Sequence, residues 1–317
     1  MASAQHPGRN GVVVVGSVTA DLTTFSGRLP ARGETIHGDD FTLVLGGKGA
    51  NQVLAAGLAG APASFVACVG TDLFHDMIID GLTAAGVDIT HVRAVAGPTG
   101  IAHIRVDASA QNDIVMVPLA NSALSVEQVD AALAALAPTT AVLLTQLEIP
   151  APLAIHAIRT AHRHGLSVVL DPAPAIPLPD DVWAFVDVVT PNETEASILT
   201  GTEVVDAASA VAAGHWFLQR GAKAALVTLA GAGAVLVTAD GTQTFTPFTV
   251  TPVDTTAAGD AFAGYLGAAL AAGSSLPDAI RLASAAGALA VTARGASPSL
   301  PSRAQVDDFL AAQEAPQ

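Results

Sequence analysis

Short apolar runs rich in β-branched residues alternate along the chain with Ala-rich segments of helical pattern. The apolar runs predict strands at residues 12–15, 64–69, 141–144, 167–170, 186–190, 224–228 and 234–238. The segments between them predict helices at residues 49–60, 73–85, 126–135, 152–164, 193–200 and 207–220. This alternation predicts an α/β fold with a mostly parallel central sheet covered by helices.

Two parts of the chain depart from this alternation. Near the carboxyl end the pattern predicts three successive helices, at residues 259–272, 276–292 and 302–312. Residues 34–45 and 100–118 instead resemble strands with no helix between them, which predicts a small second sheet within segments 17–45 and 97–118. Such an appendage often forms a lid over a binding site. We expect one domain over residues 1–317, carrying this lid.

Composition narrows the class of protein further. Of the 317 residues, 51% are hydrophobic and 13% charged, which excludes disorder for most of the chain. The net charge of −15 argues against partners such as nucleic acid or an anionic membrane. The single cysteine, Cys68, excludes an intrachain disulfide and a cysteine-based zinc site. The first residues lack the apolar core of a signal peptide, and we expect a cytoplasmic protein.

The most informative segment is VDTTAAGD at residues 253–260, which leads into a long Ala-rich helix. Its small residues would let a ligand approach the backbone closely. The backbone amides of Ala258, Gly259 and Asp260 are predicted to be unpaired donors in the first turn, where they form an anion site. Asp260 would then stand beside a bound phosphate as a general base. The alternative is that Asp260 is only a favourable acid at a helix start.

Two further segments carry polar groups at predicted helix starts. In LGGKGAN at residues 45–51, the glycines would let a polar ligand touch the backbone, while Lys48 and Asn51 add donors. In TPNETE at residues 190–195, Asn192 and Glu195 have the spacing of a capping box. Glu195 also suits a magnesium–phosphate group, because Mg²⁺ takes few direct protein ligands. Both interpretations of Glu195 remain open.

Two loops complete the candidate chemistry. TLAGAG at residues 228–233 is a glycine turn that could serve as a nucleotide loop. AVTARGASPS at residues 290–299 is an irregular loop whose carbonyl groups could ligate a monovalent cation. The chain contains neither a dinucleotide-binding fingerprint nor a P-loop, and it lacks the HExxH and GxSxG motifs.

From about Val12 to about Phe309 the chain resembles the ribokinase-type (PfkB-type) carbohydrate kinases. The resemblance is carried by GGKGAN at 46–51, QLEIP at 146–150, TPNETEA at 190–196, DTTAAGDAF at 254–262 and GASPSLP at 295–301. It implies a ribokinase-like three-layer fold with a β-sheet lid and transfer of the ATP γ-phosphoryl group to a sugar hydroxyl. Ribose is the expected sugar. The alternatives are a kinase of the same family for deoxyribose, another sugar or a nucleoside, and a sugar-binding protein without catalysis.

The resemblance also implies roles for individual residues. Asp260 is the expected base, and the amides of Ala258, Gly259 and Asp260 the anion hole. The positions implied for the sugar are Thr19, Asp21, Gly46, Gly47, Lys48, Asn51, Glu148 and Asp260. Those implied for ATP are Asn192, Thr228, Gly231, Gly233, Gly259 and Ser284. Glu195 is implied for Mg²⁺, and Asp254, Thr256, Ala290, Ala293, Gly295 and Ser299 for K⁺. The lid implies a homodimer.

Three residues depart from the family pattern. Thr19 stands where ribokinases usually have Asn, and its single hydroxyl cannot span two sugar oxygens as an amide does. Ala230 replaces a glycine of the nucleotide loop, so a positive φ there would require a locally different turn. Ser284 replaces a larger polar residue near the adenine.

Overall fold

The computed structural model describes residues 8–109 and 111–314, within which the chain forms two sheets. In chain order the strands are β1 (Gly11–Val15), β2 (Thr19–Phe25), β3 (Asp40–Gly46), β4 (Ala63–Gly70), β5 (Asp88–Val95), β6 (Gly100–Val106), β7 (Asn112–Val117), β8 (Thr140–Thr145), β9 (Ser167–Leu170), β10 (Val188–Val189), β11 (Ala224–Thr228), β12 (Ala234–Thr238) and β13 (Gly241–Phe245). The large sheet has the order β13-β12-β11-β10-β9-β8-β1-β4-β5. Neighbouring strands from β5 to β11 are parallel, whereas β12 is antiparallel to β11 and β13 is antiparallel to β12. The mostly parallel sheet is confirmed.

The apolar composition of a strand follows its place in the large sheet. Strand β1 is Gly-Val-Val-Val-Val and is buried throughout, because helices cover both of its faces. The edge strands β5 and β13 carry polar, exposed residues. Neither edge strand gives the continuous apolar run from which the other strands are predicted, and both were therefore missed.

Nine helices of the described residues complete the architecture: α1 (Lys48–Leu58), α2 (His75–Ala84), α3 (Val126–Leu136), α4 (Ala151–Arg163), α5 (Glu193–Thr200), α6 (Ala207–Gln219), α7 (Ala258–Ala271), α8 (Leu276–Ala290) and α9 (Arg303–Glu314). Val12 and Val14 pack in one core with α1, α2, α7 and α8, whereas Val13 and Val15 pack in another with α3 and α4. Alternate residues of β1 thus separate two helical layers, and the three-layer fold is confirmed. Among the described residues, no helix is long and apolar enough to cross a bilayer.

Helices α1 and α7 lie against each other at unusually short range. A Cβ atom on Gly264 of α7 would overlap Ala55 and the backbone of Gln52 in α1, so only glycine permits this approach. The contact brings the first turn of α7, with Asp260, to the side chains at the start of α1.

The small sheet has the order β3-β2-β6-β7, and its four strands lie within segments 17–45 and 97–118 except for Gly46, the last residue of β3. The predicted second sheet is confirmed, although the strand expected over residues 34–45 begins only at Asp40. In its register, Asp21 lies opposite Val44 and Ala102, while Leu22 lies opposite Leu43 and His103. Residues that are paired in this way share one face of a sheet, so Asp21 and Leu22 project to opposite sides.

Candidate active site

The candidate side chains meet at the carboxyl edge of the parallel sheet. β1, β8 and β9 end there, and the residues that follow them include Ser17, Glu148 and Asp171. α1 and α7 both begin at the same edge. Crevices beyond the carboxyl ends of parallel strands are the usual place for ligands in such folds.

Lys48 lies between two buried carboxylates. Its Nζ atom is 3.5 Å from Asp171 Oδ2 and 3.7 Å from Asp260 Oδ1. Burial disfavours the charge of Lys48, but the nearby carboxylates outweigh it and raise the pKa of Lys48 above its ordinary value. The amine is therefore protonated at neutral pH and supplies a fixed positive charge, with 28% of its side chain exposed.

Amide groups hold both oxygens of Asp260. Asn51 Nδ2 donates to Oδ2 at 3.0 Å, and Gln52 Nε2 donates to Oδ1 at 3.1 Å. Asp260 is 4% exposed, so the carboxylate is nearly removed from water and its direction is set by these donors. The structure thus brings Asp260 to Lys48 and Asn51, although Asp260 is 209 residues from Asn51 in the sequence.

The first turn of α7 presents backbone amides to the same space. Ala257 has a left-handed conformation with φ 59°, which turns the chain sharply into the helix. Ala258 N donates to Thr255 O at 3.3 Å, so the expectation of three unpaired amides is wrong for Ala258. The tight turn brings the carbonyl of Thr255 back to that amide. Within the described ranges, the N–H groups of Gly259 and Asp260 have no acceptor and remain available to an anion.

Asp21 faces the other side of the site from strand β2. Thr19 Oγ1 donates to Asp21 Oδ1 at 2.6 Å, and a Cβ atom on Gly46 would overlap the Asp21 carboxylate. Burial is the main cause that raises the pKa of Asp21 to about 7; Glu148 and Asp260 add to it, and the bond from Thr19 opposes it. The hydroxyl hydrogen of Thr19 is thereby committed to Asp21.

Glu148 joins the end of β1 to the start of α1. Its Oε2 atom accepts from Ser17 Oγ at 2.5 Å and from the backbone N–H of Lys48 at 2.9 Å. Gly47 precedes this helix with φ 88°, and a Cβ atom there would lie 2.9 Å from Thr19 N. A side chain at position 47 would disturb the strand that carries Thr19 and Asp21.

A second group of predicted residues surrounds a small cavity of about 60 Å³. Its lining consists of Lys48, Asp171, Thr190, Asn192, Glu195, Thr228, Gly259 and Phe262. Asn192 Oδ1 accepts from Glu195 N at 2.8 Å, and Glu195 Oε2 accepts from Asn192 N at 2.9 Å. The capping box is confirmed. Since it uses Oε2, Oε1 of Glu195 is the oxygen available to a ligand.

The remaining nucleotide positions differ in how they relate to this cavity. Gly231 and Gly233 lie in the turn between β11 and β12, where Gly233 has φ 95° and a Cβ atom would overlap Phe245 O. Ala230 has φ 41°, so the turn keeps a positive φ although the expected glycine is absent. Ser284 is half-buried on α8. It lines neither the small cavity nor a larger cleft between the small sheet and the loops at residues 252–256 and 294–298.

Asp254 ties together the two loops predicted to hold a monovalent cation. Its Oδ1 atom accepts from Thr256 N at 2.9 Å, and Oδ2 accepts from Gly295 N at 2.9 Å. Burial opposes the charge of Asp254, but these hydrogen bonds and Arg294 prevail and lower its pKa. Ala290, Ala293 and Ser299 belong to the segment that is joined in this way. Over the described residues, no cluster of three or more His, Cys, Asp or Glu side chains could hold a metal ion.

A larger cleft of about 880 Å³ lies between the small sheet and these loops. Asp21, Thr23 and Val44 line it from the sheet, and Asp254, Thr256 and Gly295 line it from the loops. Ser297 Oγ donates to Leu45 O at 2.6 Å and connects the two walls. The cleft is large enough for a sugar, and Asp21 in its lining interacts with the carboxylates of Glu148 and Asp260.

Three buried polar residues of the site were missed by the sequence analysis. Asp171 follows β9 directly, Gln146 follows β8, and Gln52 lies one position beyond the GGKGAN string. Burial raises the pKa of Asp171 to about 7, although Lys48 lowers it. The available signal was position: Asp171 and Gln146 are the first polar residues after a buried parallel strand, at the edge where ligands bind.

Comparison with known proteins gives one consistent picture. The family model described as "pfkB family carbohydrate kinase" matches residues 9–303. A ribokinase from Haemophilus influenzae is 40% identical over 304 residues, covering 95% of this chain and 99% of the relative. A deoxyribokinase from Salmonella typhi is 35% identical over 305 residues, covering 96% and 99%. The structure of Arabidopsis thaliana ribokinase complexed with ribose and ATP has a TM-score of 0.86 and 32% identity, covering 95% and 99%.

Proposed function

The chain belongs to the pfkB family of carbohydrate kinases, and we propose that it transfers the γ-phosphoryl group of ATP to a hydroxyl of ribose, yielding ribose 5-phosphate. The arrangement that supports this most directly is Asp260 beside the unpaired amides of Gly259 and Asp260, where Gly259 lines the small cavity and residues 254–256, just before α7, line the large cleft. A buried carboxylate next to two available amides supports the proposal of a base and an anion site at one point. The similarity to ribokinases, one of them bound to ribose and ATP, supports ribose as the acceptor.

In this mechanism the sugar occupies the large cleft and presents its hydroxyl to Asp260. Asp260 accepts the hydroxyl proton as the oxygen attacks the γ-phosphorus, which breaks the bond to the β-phosphate oxygen. The amides of Gly259 and Asp260 donate to the oxygens of the phosphoryl group in transfer, and Lys48 adds positive charge. Phosphoryl transfer depends mainly on such positioning and electrostatic stabilisation.

Magnesium fits the donor set on the nucleotide side. Glu195 lines the small cavity and keeps Oε1 outside its capping box, and a single carboxylate suits an ion that retains several waters. When bound, Mg²⁺ neutralises charge on the ATP phosphates. Asn192 and Thr228, which line the same cavity, would hold the nucleotide together with the glycine turn that contains Gly231 and Gly233.

Potassium fits the loops joined by Asp254. Backbone carbonyl oxygens are suitable ligands for a monovalent cation, and Asp254 brings the segment of Thr256 against the segment from Ala290 to Ser299. When bound, K⁺ adds positive charge beside the anion site. Changes of side chain at Ala293 would matter little, because the ligand there would be the backbone oxygen.

Deoxyribose is the second candidate substrate, and Thr19 is the observation that favours it. The Thr19 hydroxyl donates to Asp21, so it offers no second donor to a sugar, whereas an amide both donates and accepts. A sugar with one hydroxyl fewer would lose less at such a site. The similarity to a deoxyribokinase also supports this candidate.

The substrate is tested by ADP release with Mg-ATP and K⁺ against ribose, deoxyribose, fructose, ribitol and common nucleosides. We expect ribose to have the highest kcat/KM. The same assay in Na⁺ should give a lower rate, because a cation of different size replaces K⁺ on the carbonyl ligands.

A different preferred acceptor would keep the phosphoryl transfer and replace ribose as the substrate. Equal rates in K⁺ and Na⁺ would remove the cation site from the mechanism. If no acceptor gave ADP while calorimetry showed sugar binding, the protein would be a sugar-binding protein without catalysis.

We also propose that the small sheet is a lid that pairs two copies of the chain. The face of this sheet directed away from the cleft carries four exposed apolar side chains: Phe41, Leu43, Val115 and Val117. An apolar face of this kind is typical of a protein–protein contact. A homodimer formed there would cover it.

Val115→Lys should therefore convert a dimer into a monomer in sedimentation velocity, because Val115 is 62% exposed on this face. Leu73→Lys is the matched control, since Leu73 is 81% exposed but lies outside the small sheet. A wild-type protein that sediments as a monomer, or a variant that stays dimeric, would contradict this interface.

A further inference from the structure

Gln52 joins the two buried carboxylates of the site. Its Nε2 atom lies 2.7 Å from Asp171 Oδ2 and 3.1 Å from Asp260 Oδ1. A primary amide carries two N–H hydrogens, so Gln52 can donate to both carboxylates at once. Gln52 is fully buried, and no water competes for these two hydrogens.

Gln146 fixes the direction of this amide. Gln146 Nε2 donates to Gln52 Oε1, and Gln146 is also fully buried. Its own Oε1 packs against Gly16, where a Cβ atom would overlap it. If the Gln52 amide were reversed, its oxygen would face Asp171 and Asp260 and its hydrogens would face the donor of Gln146. Only the observed orientation of Gln52 lets it donate to both carboxylates and accept from Gln146, although Gln146 Oε1 itself has no hydrogen-bond partner among the described residues.

Besides Gln52, both positively and negatively charged groups surround Asp260. Lys48 approaches from α1 at 3.7 Å, and the carboxylates of Asp171 and Asp21 approach from the end of β9 and from β2. Like charges at short range favour a shared proton between carboxylates, which would disable a base. The N–H groups of Gln52 lie between Asp171 and Asp260, and the bond to Asp171 favours the ionised form of that carboxylate.

We propose that Gln52, held by Gln146, is a positioning residue that directs Asp260 for proton removal and separates it from Asp171. This inference rests on the proposed kinase activity. It assigns the residue that follows the GGKGAN string a part in proton transfer, although Gln52 is too deeply buried to touch the substrate.

Gln52→Met tests the role, because methionine keeps the length and approximate volume of the side chain and removes the donors. We expect kcat to fall about 10- to 100-fold, the effect of losing a hydrogen bond to a charged group. The affinity for ribose, measured by calorimetry, should stay within about twofold of wild type. The acidic limb of the kcat–pH profile should move to higher pH by about one unit, since Asp171 loses a donor that lowers its pKa and would hold a proton beside Asp260 more readily.

Gln128→Met is the matched control. Gln128 is a half-buried glutamine of α3 whose amide donates to Ala67 O and His91 O, remote from the site. It should lose stability and keep the kcat and pH profile of wild type. Gln146→Met should shift the acidic limb in the same direction as Gln52→Met, by a smaller amount, because Gln52 keeps its donors and loses only its support.

The inference is overturned if Gln52→Met keeps the wild-type pH profile, whether or not kcat falls, because a purely structural role would lower activity without moving the limb. If circular dichroism shows that Gln52→Met is unfolded, Gln146→Met decides by the same two readouts. Wild-type protein that forms no ADP with any acceptor would instead contradict the proposed function, and this is seen before any variant is measured.

Discussion

Replacing Asp260 by asparagine is expected to lower kcat about 10²- to 10⁴-fold, the contribution of a general base. Asparagine keeps the shape of the side chain but only one of the two oxygens that accept from Asn51 and Gln52, and it cannot take a proton from the sugar hydroxyl. The affinity for ribose should change little, because the lost interaction belongs to the transition state. Steady-state kinetics and calorimetry on the same preparation separate the two effects.

Asp278→Asn is the matched control for this experiment. Asp278 is the third residue of α8, as Asp260 is of α7, but it is exposed and accepts from Ser275 Oγ. If Asp260 were only a favourable acid at a helix start, the two substitutions would cost similar amounts of stability and neither would alter kcat. An unchanged rate in Asp260→Asn would exclude Asp260 as the base.

Lys48→Met is expected to have the second largest effect, lowering kcat/KM about 10²- to 10³-fold through the loss of charge beside the transferred group. It should also change how stability depends on pH. The pKa of Asp171 is raised to about 7 by burial, and Lys48 is the nearby charge that lowers it. Without Lys48 that pKa rises further.

The sign of the stability change follows from the direction of the shift. A carboxyl group whose pKa is raised on folding stabilises the folded state fully below its unfolded pKa of 3.8, and this contribution is lost as pH rises through the folded value. In the wild type the loss is complete just above pH 7. In Lys48→Met it should continue above pH 7, at up to about 1.4 kcal/mol of unfolding free energy per pH unit.

Urea unfolding at pH 6, 7, 8 and 9 measures this difference without any ligand. Lys223→Met is the control, because Lys223 pairs with Asp187 at the surface with 49% of its side chain exposed. Its loss should cost less than about 1 kcal/mol at every pH. Parallel stability curves for wild type and Lys48→Met above pH 7 would show that Lys48 does not control Asp171.

The site residues that the sequence predicted lie in short contiguous motifs. Lys48 and Asn51 stand within six residues of each other, and Asp260 follows small residues at a helix start, so local pattern suffices to find them. The central strands were found for a similar reason, since burial on both faces demands a continuous apolar run.

The parts that were missed depend on partners remote in the chain. Gln52 and Asp171 are 119 residues apart, and Gln52 and Asp260 are 208 apart, so nothing near Gln52 in the sequence shows that it faces two carboxylates. The bond from Ala258 to Thr255 depends on the left-handed turn at Ala257, an alanine conformation that composition does not reveal. The edge strands β5 and β13 have partners on one side only and need no apolar run.

The register of the small sheet has a consequence for how this protein can change. Asp21 faces the cleft and the next residue, Leu22, faces outward, so alternate residues of β2 form the two faces of the small sheet. A single inserted or deleted residue in β2 would exchange the two faces and send the carboxylate to the outside. A point substitution in β2 changes the side chains of one face only, whereas a change in the length of the strand alters both faces. We therefore expect natural variation in length to collect in the connection between Phe25 and Asp40, outside the paired strands.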